Sequence, residues 1–160
     1  MDENTGRPWE GFHMPRFREL PALELYKDQV VELVNHSLAP FFPTEPALTD
    51  TMVNNYVKLR VIAPPVRKRY SREQLSQLML VCLLKRVLSI AQLRQLLELQ
   101  RAGGSVEHAY DQFCDVLEEE LSHLRERGEQ VETLEQGLSR RAVSAFVCKL
   151  AFEELLSGRE

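Results

Sequence analysis

The stretch from Leu48 to Leu75 limits the fold more than any other part of the chain. Thr49 stands just before Met52, Val53 and Tyr56, which recur at helical spacing to about Leu59. A hydroxyl there can accept from one of the unpaired amides that open a helix. Pro64-Pro65 then forbids helix, because proline lacks the amide donor and pushes the preceding residue into extended backbone. Arg67-Lys68-Arg69-Tyr70 follows, and Ser71-Arg-Glu-Gln74 is a capping box that opens a second helix. Val61 to Tyr70 is too short for two full strands, so it holds a minimal hairpin or an extended basic loop. A capped helix, a tight corner, a basic turn and another capped helix suit a winged helix-turn-helix with a minimal β wing.

The rest of the chain reads as helix. Met1 to Glu19 mixes Gly, Pro and charges without periodicity and is expected to be a flexible arm, with Trp9, Phe12 and Phe17 as residues that could dock. Leu23, Tyr26, Val30, Leu33 and Val34 mark an amphipathic helix over Leu20–Leu38, which the prolines of Ala39–Pro46 end. After Ser71 the helix to about Val87 is apolar nearly all round (Leu75, Leu78, Met79, Leu80, Val81, Cys82, Leu84) and should be central. Ser89-Ile-Ala-Gln92 caps the next, to about Arg101. Val106 to about Arg127 repeats apolar residues at i, i+3 and i+4, an acidic connector occupies Gly128–Gly137, and a last helix starts at Ser139. The expected organisation is an all-α chain with an arm at 1–19, a winged-helix domain at 20–101 and a helical packing or dimerisation region at 105–157.

Charge is divided sharply along this chain. Between Thr51 and Arg101 there are 10 Lys and Arg against 2 acids, a net of +8, whereas the whole chain carries −4. A basic module inside an acidic protein is the electrostatic footprint of a nucleic-acid binder. The residues expected to carry it are Thr51, Asn54, Asn55 and Lys58 on the first helix, Arg60, Arg67, Lys68 and Arg69 through the turn, and Arg72 opening the next helix. Asn54, Asn55 and Lys58 would face the major groove of double-stranded DNA, where an asparagine amide can pair with adenine. Arg67, Lys68 and Arg69 would hold phosphates beside it. Tyr56 and Tyr70 read as packing residues. The bland alternative for the basic turn is a solvated loop.

From Met52 to Leu97 the chain resembles the DNA-binding domain of the mercury-resistance-regulator (MerR) class of bacterial transcription factors. The resemblance rests on Tyr56-Val-Lys-Leu-Arg-Val-Ile-Ala-Pro64, on Lys68-Arg-Tyr-Ser71, and on Leu88-Ser-Ile-Ala-Gln-Leu-Arg-Gln-Leu-Leu97. It implies a recognition helix, a basic wing and two further helices. Where that class usually carries Arg-Tyr-Tyr, this chain has Asn54-Asn55-Tyr56, and no long coiled coil follows Leu97. The run from Leu25-Tyr-Lys-Asp-Gln-Val30 through Asn54-Asn-Tyr-Val-Lys58 to Lys68-Arg-Tyr-Ser-Arg72 also looks like a bacterial family known only as a domain of unknown function, with no established activity.

Other function classes leave little trace. Cys82, Cys114 and Cys148 are odd in number and widely spaced, which suits reduced thiols in a cytoplasmic protein rather than a disulfide or zinc framework. The longest apolar run, Leu78–Leu84, is too short to span a bilayer, and the N-terminus has no secretory apolar stretch. Glu120-Leu-Ser-His123 is one half of a di-metal motif without its second pair. There is no phosphate loop, Gly-X-Ser-X-Gly or His-Glu-X-X-His, so neither an enzyme nor a cofactor is expected. The expected function is a DNA-binding transcriptional regulator acting as a homodimer, with its effector unidentified. The alternative is a non-enzymatic protein–protein or ligand-sensing module on the same fold.

Overall fold

A computed structural model describes residues 6–127 and 133–158 of the chain. It is mostly helical with one small sheet: β1 (Leu25–Tyr26), α1 (Lys27–Leu38), α2 (Asp50–Lys58), β2 (Arg69–Tyr70), α3 (Arg72–Leu84), α4 (Ile90–Ala102), α5 (Val106–Arg127) and α6 (Leu134–Ser157). Two compact units divide between His123 and Leu124. No described helix is long and apolar enough to cross a membrane.

In the first unit the capping signals work as the residues imply. Thr49 Oγ1 accepts from Met52 N at 3.2 Å, and Ser71 and Ser89 Oγ accept from Gln74 N and Gln92 N at 3.3 and 3.2 Å. α3 is the centre. Every residue from Gln74 to Cys82 is buried, which a helix apolar on all sides requires. Around it lie Val30, Val34 and Leu38 of α1, Val53 and Tyr56 of α2, Leu93 and Leu97 of α4, and Tyr110 and Cys114 of α5. Burial pushes the Cys82 thiol up to about 12 and the Cys114 thiol up to about 11, so both stay protonated near neutral pH. The proline-rich connector is latched back onto α1: Asn35 Nδ2 donates to Leu48 O at 2.8 Å, and Leu48 N donates to Asn35 Oδ1 at 2.9 Å.

Three expectations need correction. The helix placed at Leu20–Leu38 begins only at Lys27. Leu25 and Tyr26 form a strand, and Leu23, assigned to a buried face, is 81% exposed. The arm placed at 1–19 is not loose over its later residues, since Met14, Phe17 and Leu20 enter the core. Polar groups of α5 hold it there. Met14 N donates to Glu118 Oε1 (2.8 Å), Phe17 N to Asp111 Oδ1 (2.7 Å) and Tyr110 Oη to Pro15 O (2.8 Å). Arg16 bridges Glu118 and Asp115, both at 2.8 Å. The Arg16 hydrogen bond holds the Glu118 carboxyl below its ordinary range. Finally, α6 starts at Leu134 rather than after Ser139, because Thr133 and Gln136 form a capping box and Gly137 lies inside the helix. The part of the expected connector at 128–132 lies outside the described residues.

Candidate nucleic-acid interface

The basic turn is held by backbone pairing in two directions. Val66 and Arg69 exchange both backbone hydrogen bonds, Val66 N to Arg69 O at 3.0 Å and Arg69 N to Val66 O at 2.9 Å. Arg67 and Lys68 form the tip, with φ of +50° and +63°. Positive φ at both central residues is the mark of a type I′ hairpin turn. On its other side the strand Arg69–Tyr70 pairs antiparallel with Leu25–Tyr26. A glutamine fixes the corner before the turn. Gln74 Oε1 accepts from Ser71 N at 2.7 Å, while its amide donates to Ala63 O and Pro64 O at 2.9 and 3.1 Å. One buried residue therefore caps α3 and anchors the Pro64-Pro65 corner to it.

The end of α2 is closed by a third left-handed residue. Arg60, with φ of +59°, donates its N–H to Val57 O at 3.0 Å, and Val61 N reaches Tyr56 O at 2.9 Å. These are the two bonds of a Schellman motif, in which the left-handed position is usually glycine. Val61 and Ile62 are then buried. Arg60, Arg67 and Lys68 are the three non-glycine residues with positive φ among the described residues.

The nine expected site residues do not form one patch of equivalent groups. Thr51, Asn54, Asn55, Lys58, Arg60, Arg67, Lys68 and Arg69 are exposed, and Arg72 is half-buried. The side chains of Lys58, Arg60, Arg67 and Lys68 have no hydrogen-bond or ion-pair partner among the described residues. Arg69 donates to Tyr26 Oη at 3.1 Å, with its guanidinium 5.0 Å from the centre of that ring. Arg72 is turned inward: its Nε donates to Pro21 O at 3.2 Å, and it stacks over Phe17 at 5.5 Å. Asn54 Oδ1 accepts from Lys27 Nζ at 3.3 Å, and Lys27 also lies 3.5 Å from Asp50.

Asn54 and Lys68 line one open groove of ≈ 520 Å³ together with Tyr26, Lys27, Asp28, Asp50, Pro65 and Tyr70. Its two lysines are balanced by two carboxylates, so the groove floor is electrically neutral. An anion gains most at the outer tip, by Arg67 and Lys68, whereas the floor offers amide and hydroxyl groups suited to neutral hydrogen-bonding edges. Tyr26 and Lys27 belong to this site and sequence reasoning missed them. The signal was Tyr26-Lys-Asp-Gln29, where Gln29 Oε1 accepts from Tyr26 N at 2.9 Å and marks the true start of α1. Tyr56 is buried, and burial raises its hydroxyl to about 12. Tyr70 is buried as well.

Residues 15–113 match the family model described as a domain of unknown function, DUF1836. That span holds all nine expected site residues and, from Pro15 on, the docked part of the arm, which forms a strap tied to α5. No curated protein and no solved structure matches the chain.

Proposed function

We propose that this chain, which belongs to the DUF1836 family, is a non-enzymatic, cytoplasmic DNA-binding regulator of transcription built on a MerR-like winged helix-turn-helix. α2 is its recognition helix and the Val66–Arg69 turn its wing. The single observation that carries this reading is the conformation of Arg60, Arg67 and Lys68. Each occupies a left-handed position where glycine or asparagine is preferred. An L-residue with a large side chain there costs roughly 1 kcal/mol. Three exposed cations held at that cost, in one short segment around a proline corner, are better explained by a use than by solubility alone. Phosphates of duplex DNA are the ligand class, with Asn54 and Asn55 reading base edges and Arg67 and Lys68 gripping the flank.

The test is salt-dependent binding of the purified chain to labelled random-sequence duplex DNA. If Lys58, Arg60, Arg67 and Lys68 each neutralise one phosphate, log affinity falls against log salt with a slope of about −3.6. No binding at low salt, or binding indifferent to salt, overturns the reading. One observation favours the alternative of a protein–protein or ligand-sensing module. Phe41, Phe42, Leu83, Leu84, Phe113, Val116 and Leu117 line an apolar groove of ≈ 330 Å³ with Arg86 and Glu120 at its polar points. On that reading the groove takes an apolar ligand or peptide, and the chain fails to shift DNA at any salt.

A further inference from the structure

We infer that α6 is a self-pairing element: the α6 helices of two copies lie antiparallel about a two-fold axis beside Val147. This does not rest on the DNA reading. α6 is a 24-residue helix, about 36 Å long. Much of its apolar surface is open: Val143, Phe146, Val147 and Leu150 are between 48% and 62% exposed, and Leu134, Leu138 and Leu155 equally or more so. A helix apolar on several sides is stable only when buried, and one of this length gains little from propensity alone.

The charges say what covers it. Arg140 and Arg141 lie in the N-terminal half, and Glu153 and Glu154 in the C-terminal half. Arg140 and Glu154 each lie seven residues from Val147, close to two full turns, so all three share a face. When two α6 helices run antiparallel with Val147 meeting Val147, Arg140 of each copy stands opposite Glu154 of the other, and the pair occurs twice. Val143, Phe146 and Leu150 then close the apolar centre. A parallel pairing sets Arg140 against Arg140 and Glu154 against Glu154, and also aligns the two helix dipoles unfavourably. An isologous interface needs a self-complementary patch, and this pattern supplies one in the antiparallel sense only. Within each helix Lys149 and Glu153 lie 3.6 Å apart and Arg141 donates to Gly137 O at 3.1 Å, so these side chains lie along their own helix.

The experiment uses the full chain. Light scattering after size exclusion at tens of micromolar should give twice the 18.5 kDa chain mass. Arg140→Glu, which converts both cross-copy attractions to repulsions, should raise the dimer Kd roughly tenfold, and Arg140→Glu with Glu154→Arg should restore it to within about threefold. Geometry is read by cross-linking with Cys148→Ser in place. Arg140→Cys combined with Glu154→Cys should form a disulfide between the two positions of different copies. Arg140→Cys alone should not, since the two copies of that position lie about 21 Å apart along the axis, against a reach of about 7 Å. A mass of one chain overturns the inference. So does self-cross-linking of Arg140→Cys, and so does a dimer whose Kd ignores Arg140→Glu, because it is held by another surface.

Discussion

Arg72, Lys85 and Arg86 carry the same charge as Lys58, Arg60, Arg67 and Lys68, and all seven belong to the same basic stretch. The first three are spent on carbonyls of the fold itself. Arg72 reaches Pro21 O, Lys85 Nζ donates to Ala47 O at 2.7 Å, and Arg86 donates to Phe41 O at 2.7 Å while stacking over Phe42 at 4.5 Å. Each uses its cation to satisfy a carbonyl in the connectors around α3 and to lie over an aromatic ring. The other four stand on α2, its end and the turn without a partner among the described residues. A net of +8 therefore overstates the interface. What distinguishes the two groups is their carbonyl partners and backbone conformation, which charge counting does not register.

The largest expected effect falls on α3, the central helix of the unit that holds both groups. Leu78 is 0% exposed on α3, so Leu78→Ala should cost about 2–5 kcal/mol of stability in denaturant titration. A loss below about 1 kcal/mol would mean that α3 is not the platform on which the two groups are sorted.

Lys85→Ala comes next and separates the groups directly. It leaves the Ala47 carbonyl without its donor and removes the ammonium 5.5 Å from the Phe42 ring, which should cost about 1–3 kcal/mol. The slope of DNA affinity against salt should stay as in the parent. If that slope fell by about one counterion, Lys85 would belong with the open cations instead.

Acid should loosen the hold of α5 on the strap. Glu118 is held below its ordinary 4.5 by Arg16, so its contribution to stability is complete above about pH 4.5 and is lost as pH falls through the depressed value. Glu118→Gln should flatten that acid limb in a thermal-melt series from pH 6 to 3. An unchanged limb would show that the Arg16–Glu118 bond does not hold the strap.

How much of this was legible follows from the range of each interaction. The caps at Thr49, Ser71 and Ser89 were readable because donor and acceptor lie three residues apart in sequence. α3 was readable as central from its apolar girth. β1 was not, because its two residues become a strand only by pairing with Arg69 and Tyr70, far along the chain. The same holds for the strap, whose aperiodic residues are ordered by Tyr110, Asp111 and Glu118 of α5. For the site, exposure of Asn54, Asn55 and the turn followed from their spacing, but the inward use of Arg72 depends on Pro21 and Phe17, which no local pattern reveals. α6 was misplaced at its start for another reason. Gly137 read as the end of the connector, although one glycine costs a helix only about 1 kcal/mol and the Thr133–Gln136 box outweighs it.

The smallest effect is the most discriminating, because stability and binding should move in opposite directions. Arg67 and Lys68 occupy a turn whose backbone prefers Asn-Gly. Replacing them by that pair (Arg67→Asn, Lys68→Gly) relieves two left-handed L-residues, offset in part by the extra freedom glycine gives the unfolded chain, and should stabilise the fold by about 1 kcal/mol. The Val66–Arg69 hydrogen bonds and the pairing with Leu25–Tyr26 do not involve either side chain, so the turn survives. Duplex binding should weaken, and the salt slope should drop by about 1.8 as two phosphate contacts vanish. A turn kept only for the fold would show the stability gain with unchanged binding, leaving the three left-handed cations without the use proposed for them. A loss of stability would instead mean that Arg67 and Lys68 hold the turn through their side chains, and the contrast with Arg72, Lys85 and Arg86 would collapse.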